Sequence, residues 1–219
     1  MEWALLASLG EDDRQTVLAT TRRHRFARGD TLVHEGDPAD SLHLVESGRL
    51  AVRVTTPDGE RATLNVLGPG DYFGELSLLD GRAPTRSASI VALESAETHS
   101  LSATAFRELR HRHRAAEQLL LTLLARRVEE LSGRLVEALY DGLDRRVHRR
   151  LGELADTYAG GRPGPVVVPL TQELLAELAG GTRPSVNQIL QRLAAEGVVE
   201  LGRGRIVVHD RDALAHRTG

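Results

Sequence analysis

Residues 171–197 read TQELLAELAGGTRPSVNQILQRLAAEG. Thr171 is a good N-cap, because its hydroxyl accepts from an open N–H of the first helical turn. Leu174, Leu175 and Leu178 give a short helix one apolar face. Ala179-Gly180-Gly181 predicts a tight turn. Thr182 then caps a second helix with Pro184 in its first turn, where a missing N–H costs little. Val186, Ile189, Leu190 and Leu193 form the buried stripe of that helix, and Gly197 stops it. Helix, glycine-containing turn, helix is the plan of a helix-turn-helix.

The opposite face of the second helix carries Arg183, Asn187, Gln188 and Gln191, with Ser185 near its start. Such a face is often only solvated. It also suits nucleic acid, since Arg grips guanine bidentately and Asn or Gln grips adenine. The downstream pattern favours the second reading. Val198–Leu201, then Gly202-Arg203-Gly204-Arg205, then Ile206–Val208 predict a hairpin whose tip carries Arg203 and Arg205, a wing able to reach phosphates. Residues 141–219 hold 11 Arg and 10 Asp or Glu, a balance of +1, so binding rests on where the arginines sit rather than on net charge.

Upstream, Val166–Val168 reads as a short strand and Gly160–Pro165 as an exposed loop, preceded by a helix over about residues 145–158. Tyr140-Asp141-Gly142 looks like a hinge. From about His111 to Tyr140 the pattern is one long helix. Leu121, Leu124, Val128, Leu131, Leu135 and Ala138 step by three and four, a heptad seam that predicts a dimer coiled coil. Ser132 and Gly133 are expected to interrupt this helix near its middle. Leu131 and Ser132 lie where they could close a ligand site at the dimer interface.

The first hundred residues are punctuated by turn markers, among them Gly29-Asp30, Gly36-Asp37, Ser47-Gly48 and Gly68–Asp71. Between them lie short alternating segments at 31–33, 42–45, 50–54 and 62–67, the pattern of a β-sandwich or jelly roll. Pro57-Asp58-Gly59 is a hairpin signal.

One segment of this region carries chemistry. Residues 73–92 read FGELSLLDGRAPTRSASIVA, opening on Gly74-Glu75-Leu76, crossing a short polar turn and closing on Arg86-Ser87-Ala88. A carboxylate, an arginine and a hydroxyl around a conformationally free glycine can hold a sugar hydroxyl with Glu75. They can hold a phosphate with Arg86, Ser87 and backbone N–H groups. The implied ligand is a cyclic nucleotide. Without ligand, Glu75 and Arg86 are candidates for a buried ion pair with each other.

Composition excludes several alternatives. The chain has 219 residues, 41% of them apolar, enough for one or two domains with a real core. It has no cysteine, which removes disulfides, Cys-ligated iron–sulfur clusters and thiolate zinc. No run of 18 apolar residues predicts a membrane span, and the N-terminal segment has no signal-peptide pattern, so a cytoplasmic location is expected. All 28 basic residues are Arg, a sign of genomic base bias, and net charge is −3. His43 falls in a strand and reads as structural, so neither haem nor another metal is expected. His111 and His113 read as part of a solvated basic face. No catalytic constellation is present.

Taken together, these motifs resemble the CRP/FNR family of bacterial transcription regulators over roughly residues 20–210. Gly74-Glu75-Leu76 with Arg86-Ser87-Ala88 is similar to the phosphate-binding cassette of the cyclic-AMP-binding members. Thr182–Leu190 is similar to the family's recognition helix. The resemblance implies an α+β fold with a β-roll (jelly roll) over 1–110, a dimerisation helix over 111–140 and a winged helix-turn-helix over 141–219. It implies that Glu75 accepts from the ribose 2′-OH, that Arg86 and Ser87 hold the cyclic phosphate, that Gly74, Leu76 and Ala88 shape the cassette, and that Ser132 touches the base. Arg183 and Gln188 would contact bases, with Ser185 and Asn187 nearby and Thr171, Arg203 and Arg205 serving the DNA backbone. The implied effector is cyclic AMP or a related cyclic nucleotide. The implied partners are a second copy of the chain, a pseudo-palindromic DNA operator, and RNA polymerase through the Gly160–Pro165 loop.

The sequence departs from the family pattern in three places. Leu131 stands where the cyclic-AMP members have a Thr, and Leu cannot hydrogen-bond adenine, a loss of roughly 0.5–1.5 kcal/mol. Pro184 and Gln188 replace an acidic and an Arg reader of the best-known member, so the operator half-site should differ. Leu131 supports a rival expectation, a DNA-binding regulator that acts without cyclic nucleotide or with another effector. A cyclic-nucleotide module serving an enzyme or channel is the third expectation, opposed by the winged helix.

Overall fold

The computed structural model describes residues 10–59, 61–79, 85–112 and 114–217. The N-terminal segment read for targeting signals, most of the polar turn inside the cassette and His113 lie outside these residues. By packing, the chain forms two compact units. One consists of the chain up to Thr55 together with Asn65–Gly133, the other of Thr56–Leu64 and the chain from Arg134 onward.

The first unit is built on β1 (Arg22–Phe26), β2 (Thr31–Val33), β3 (Ser41–Ser47), β4 (Leu50–Thr55), the end of β5 (Arg61–Leu67) from Asn65, β6 (Tyr72–Phe73), β7 (Ser89–Ala92) and β8 (Ala96–Ser102). They form two four-stranded sheets, in the orders β1-β8-β3-β6 and β2-β7-β4-β5. The expected jelly roll is therefore present. The Pro57–Gly59 turn joins β4 to β5, closed by the Gly59 N–H on the Thr56 carbonyl at 2.8 Å, with Gly59 at φ +80°. β3 shows why its sequence, SLHLVES, is more apolar than a half-solvated strand. Successive side chains point to opposite faces, and both faces are covered. Leu42 and Leu44 pack with Phe106, Leu119 and Leu123 of α2 (Ala103–Arg112) and α3 (Arg114–Tyr140). Val45 packs with Leu50, Phe73 and Ile90 between the sheets. The remaining helix of the unit, α1 (Glu11–Ala19), adds Val17 to the helical core. Tyr72 donates its hydroxyl to the Leu123 carbonyl at 3.0 Å and so ties β6 to α3.

The 27 residues of α3 span about 40 Å at ~1.5 Å per residue. The expected break at Ser132-Gly133 does not occur; the helix runs through both residues. A single exposed glycine costs only about 1 kcal/mol relative to alanine, and good helix formers flank it on both sides. One side of α3 is buried through Ala116, Leu119, Leu120 and Leu123. The predicted seam lies on another side. Leu121, Val128, Leu131 and Leu135 are exposed, Leu139 and Tyr140 extend the stripe, and only Leu124 is partly covered by the core.

The second unit contains α4 (Leu143–Ala159), β9 (Val166–Val168), α5 (Gln172–Ala179), α6 (Arg183–Ala195), β10 (Val199–Gly202), β11 (Arg205–Val208) and α7 (Arg211–His216). The sheet order is β10-β11-β9. Its core gathers Leu151, Leu175, Val186, Leu190 and Val208, all buried. This is the expected winged helix-turn-helix.

The predicted hinge is a bend at Asp141-Gly142, pinned by charge on both sides. Arg149 Nη1 lies 2.9 Å from both Glu137 and Asp141. Arg150, which is buried, bonds Glu137 and also Glu153 at 2.5 Å. Arg145 reaches Asp141 at 3.1 Å. No helix among the described residues is long and apolar enough to cross a membrane.

Candidate functional site

The cassette turns on Gly74, which sits at φ +83° and starts a short 3₁₀ turn, Glu75–Leu78. A Cβ at this glycine would lie 2.5 Å from the Ser41 carbonyl oxygen and against the Arg86 guanidinium. Only glycine fits, for both the left-handed backbone and the space. Gly74→Ala should destabilise the protein by about 1–3 kcal/mol, seen as a melting midpoint lower by several degrees. An unchanged midpoint would mean that Arg86 does not press on this backbone.

Arg86 is only 6% exposed. Its Nη1 donates to the Ser41 carbonyl at 2.8 Å and its Nη2 to Ser41 Oγ at 3.0 Å. The one carboxylate within ion-pair distance among the described residues is Asp40, at 3.4 Å and largely in water. Arg86 Nε is buried and has no acceptor among the described residues. Burial lowers the Arg86 pKa, while Asp40, Asp37 and Glu75 pull the other way. A buried guanidinium with mostly neutral partners and an idle donor is suited to an arriving anion. Ser87 follows it with an exposed side chain, and Ala88 is half-buried. Leu76 is exposed at the lip of the turn.

Glu75 is 5% exposed, and its partner corrects the expectation. It does not pair with Arg86. Its Oε1 accepts from Arg127 Nε at 2.8 Å, and Arg127 Nη1 also reaches Glu130 at 2.9 Å. Burial alone would lower the Arg127 pKa; the Glu75 hydrogen bond and charge, with Glu130, raise it instead. Arg127 rides on α3, one turn before Leu131, and links the cassette to the long helix. Sequence reading missed Arg127. The signal was present, because a buried carboxylate reserved for a ligand needs a cation nearby, and Arg127 lies one helical turn from the residues already singled out. Leu131 and Ser132 are both exposed on α3.

The reading head follows its sequence closely. Thr171 Oγ1 caps α5 by accepting from the Leu174 N–H at 3.2 Å, and Thr182 Oγ1 caps α6 through the Ser185 N–H at 3.4 Å. Gly180, at φ +63°, ends α5 and makes the turn. Val186, Ile189, Leu190 and Leu193 are buried, which leaves Arg183 and Gln188 exposed and Ser185 and Asn187 half-exposed. Ser185 Oγ is 2.9 Å from Thr182 Oγ1. Arg183 Nε is 4.0 Å from Glu173, a loose and exposed pairing. Arg203 and Arg205 stand exposed at the wing tip, where Gly204 turns at φ +69°.

Comparison with known proteins agrees with both halves of this description. Residues 23–113 match the cyclic nucleotide-binding domain family, and residues 145–217 match the Crp-like helix-turn-helix domain. A CRP-like cAMP-activated global transcriptional regulator of Mycobacterium tuberculosis is 33% identical over 195 residues, 88% of this chain and 86% of its own. The cyclic AMP receptor protein of Thermus thermophilus is 34% identical over 210 residues, 96% of this chain and 94% of its own. The chain belongs to the CRP/FNR family. Members are transcription regulators, not enzymes, and the C-terminal unit is accordingly a DNA-binding helix-turn-helix. The fold is also that of the c-di-GMP-responsive global regulator of Xanthomonas campestris, with a TM-score of 0.76 at 20% identity, over 92% of this chain and all of that one.

Proposed function

We propose that this CRP/FNR-family regulator is a cytoplasmic homodimer controlled by a cyclic nucleotide, with cyclic AMP the first choice. The observation that carries the reading is Arg86, buried beside Gly74 with mostly neutral acceptors and one idle donor. Arg86 and Ser87 hold the cyclic phosphate, Gly74, Leu76 and Ala88 form the turn around it, and Glu75 accepts from the ribose 2′-OH. Ser132, beside Leu131, meets the base. The names of the Mycobacterium and Thermus relatives point to cyclic AMP for those proteins. Functionally the chain reads as effector domain (1–110), dimer helix (111–140) and DNA-binding domain (141–219).

The exposed seam of α3 supports pairing with a second copy, because apolar side chains at heptad spacing are stable in water only when covered. Two recognition helices then enter successive major grooves about 34–36 Å apart on a pseudo-palindrome. Ligand acts only through its different affinity for the two arrangements of the dimer. Calorimetry with cyclic AMP, cyclic GMP and cyclic di-GMP tests the effector. Saturable heat with the first supports the reading, and absence of heat and of thermal shift at millimolar ligand overturns it.

A second reading is favoured by two observations. Glu75 is already engaged by Arg127, and Leu131 offers the base no hydrogen bond. In that reading the regulator binds its operator constitutively, and DNA affinity is unchanged by every cyclic nucleotide.

On the DNA side, Arg183→Ala should weaken specific binding by roughly 1–3 kcal/mol and relax one base position of the half-site. Uniform weakening across all sequences, measured by selection from random duplexes, would instead make Arg183 a phosphate contact. Thr171, Arg203 and Arg205 are assigned to the backbone, Ser185, Asn187 and Gln188 to the groove. RNA polymerase is a further proposed partner, through Gly160–Pro165.

A further inference from the structure

His43 lies inside the roll, 7% exposed, with its ring stacked on Phe73 at 4.7 Å and 9°. It is two residues from Ser41 on β3 and therefore on the same face. Ser41 Oγ is the junction of a small network. Its single hydrogen goes to Asp40 Oδ1 at 2.8 Å. One lone pair takes the Nη2–H of Arg86 at 3.0 Å. The contact to His43 Nε2, at 3.3 Å, must then be donated by the imidazole. This places the ring hydrogen on Nε2 and leaves Nδ1 to accept from Thr98 Oγ1 at 3.2 Å, deep in the sheet.

We propose that His43 is a positioning residue for the anion clamp: its neutral imidazole fixes Ser41 Oγ, and Ser41 Oγ fixes the Arg86 guanidinium. The inference rests on the reading of Arg86 as the phosphate-holding residue. Its physical basis is charge economy. An arginine oriented by a carboxylate spends its charge on that carboxylate. Arg86 is held mainly by a carbonyl and a hydroxyl, and its contact with the Asp40 carboxylate is long, at 3.4 Å, and largely in water, so most of its charge is kept for the ligand. Such neutral acceptors are weaker, so the hydroxyl must itself be held, and the imidazole holds it from the far side. The ring must not be cationic, or it would repel the guanidinium. Burial first, then the charges of Arg86 and His24, keep the His43 pKa at about 4 against the opposing pull of Asp40. It is therefore neutral near pH 7.

The test uses the full chain and two readouts. One is the Nε–H resonance of Arg86 in the ligand-free protein, assigned by its loss in Arg86→Lys. The other is cyclic AMP affinity by calorimetry. His43→Phe keeps a flat ring against Phe73 but has no nitrogen; Ser41→Ala removes the junction. Both should shift the Arg86 resonance, speed its exchange with solvent and weaken binding by about three- to tenfold. His43→Gln, whose amide nitrogen reaches the position of Nε2, should restore both readouts to within about twofold of the unmodified protein. His43→Asn, reaching only the Nδ1 position, should not, and it replaces His43→Phe if that variant fails to fold. The double variant Ser41→Ala/His43→Phe should bind no more weakly than Ser41→Ala alone, because His43 acts through Ser41. An unmoved Arg86 resonance in a folded His43→Phe protein, or losses that simply add, overturns the proposal. If the unmodified protein binds no cyclic nucleotide, the effector reading fails, while the Arg86 resonance still decides the role of His43.

Discussion

Arg86→Ala should erase the heat and the thermal shift produced by cyclic AMP while the free protein still melts cooperatively. In the proposed site the side chain offers its idle Nε and the outer edge of its guanidinium to the phosphate. Hydrogen bonds to a charged group are worth about 1.5–3 kcal/mol each, so losing two of them weakens binding by at least ~100-fold. The free protein loses less. Removal strands the Ser41 carbonyl, which costs about 1–3 kcal/mol. It also relieves a buried cation whose one carboxylate within ion-pair distance among the described residues, Asp40, is largely in water. Arg86→Lys should be intermediate, since it keeps the charge and loses the fork. Cyclic AMP binding by Arg86→Ala at the unmodified affinity would remove Arg86 from the site.

Leu135→Glu should convert the proposed dimer to a monomer. Leu135 is 59% exposed on α3, two turns beyond the cassette link at Arg127. Covering a large apolar side chain contributes about 1.5–3 kcal/mol. In a two-fold interface each substitution counts twice and brings two carboxylates toward each other. The expected sedimentation mass falls from twice to once 23.9 kDa. Binding to a palindromic operator should fall to that of one half-site. A dimer that survives both Leu135→Glu and Val128→Glu would locate the interface elsewhere.

The C-terminal unit was almost fully legible in its sequence, because each of its structural decisions is local. Thr171 and Thr182 are caps, Gly180 and Gly197 are positive-φ stops, and the leucines fall at helical spacing. The roll was legible only in part. β2 to β5 stood out between turn markers. β1 (RRHRF) and β8 (AETHSLS) did not, since polar residues dominate both and pair with each other across the strands. Arg23 and Arg25 pair with Glu97, and His24 lies 2.8 Å from Ser100 Oγ. Such pairings join residues more than seventy positions apart, so no local pattern reveals them. The cassette shows the same divide. Gly74, Glu75 and Arg86 were readable as a motif. Their actual partners, Arg127 and Ser41, come from α3 and β3, two other places in the chain, and became visible only when the fold brought them together.

The bend between α3 and α4 has a mechanical consequence. Although Gly142 would allow a loose joint, Glu137 and Asp141 on one arm are bolted to Arg145, Arg149 and Arg150 on the other. The two arms therefore form a bell crank rather than a hinge. A twist applied to the last turn of α3 swings α4 as one piece, and α4 is about 25 Å long at ~1.5 Å per residue. Ten degrees or so at the elbow moves its far end by about 4 Å, on the order of a base-pair step. To flex the elbow itself, a set of arginine–carboxylate bonds must first be unfastened.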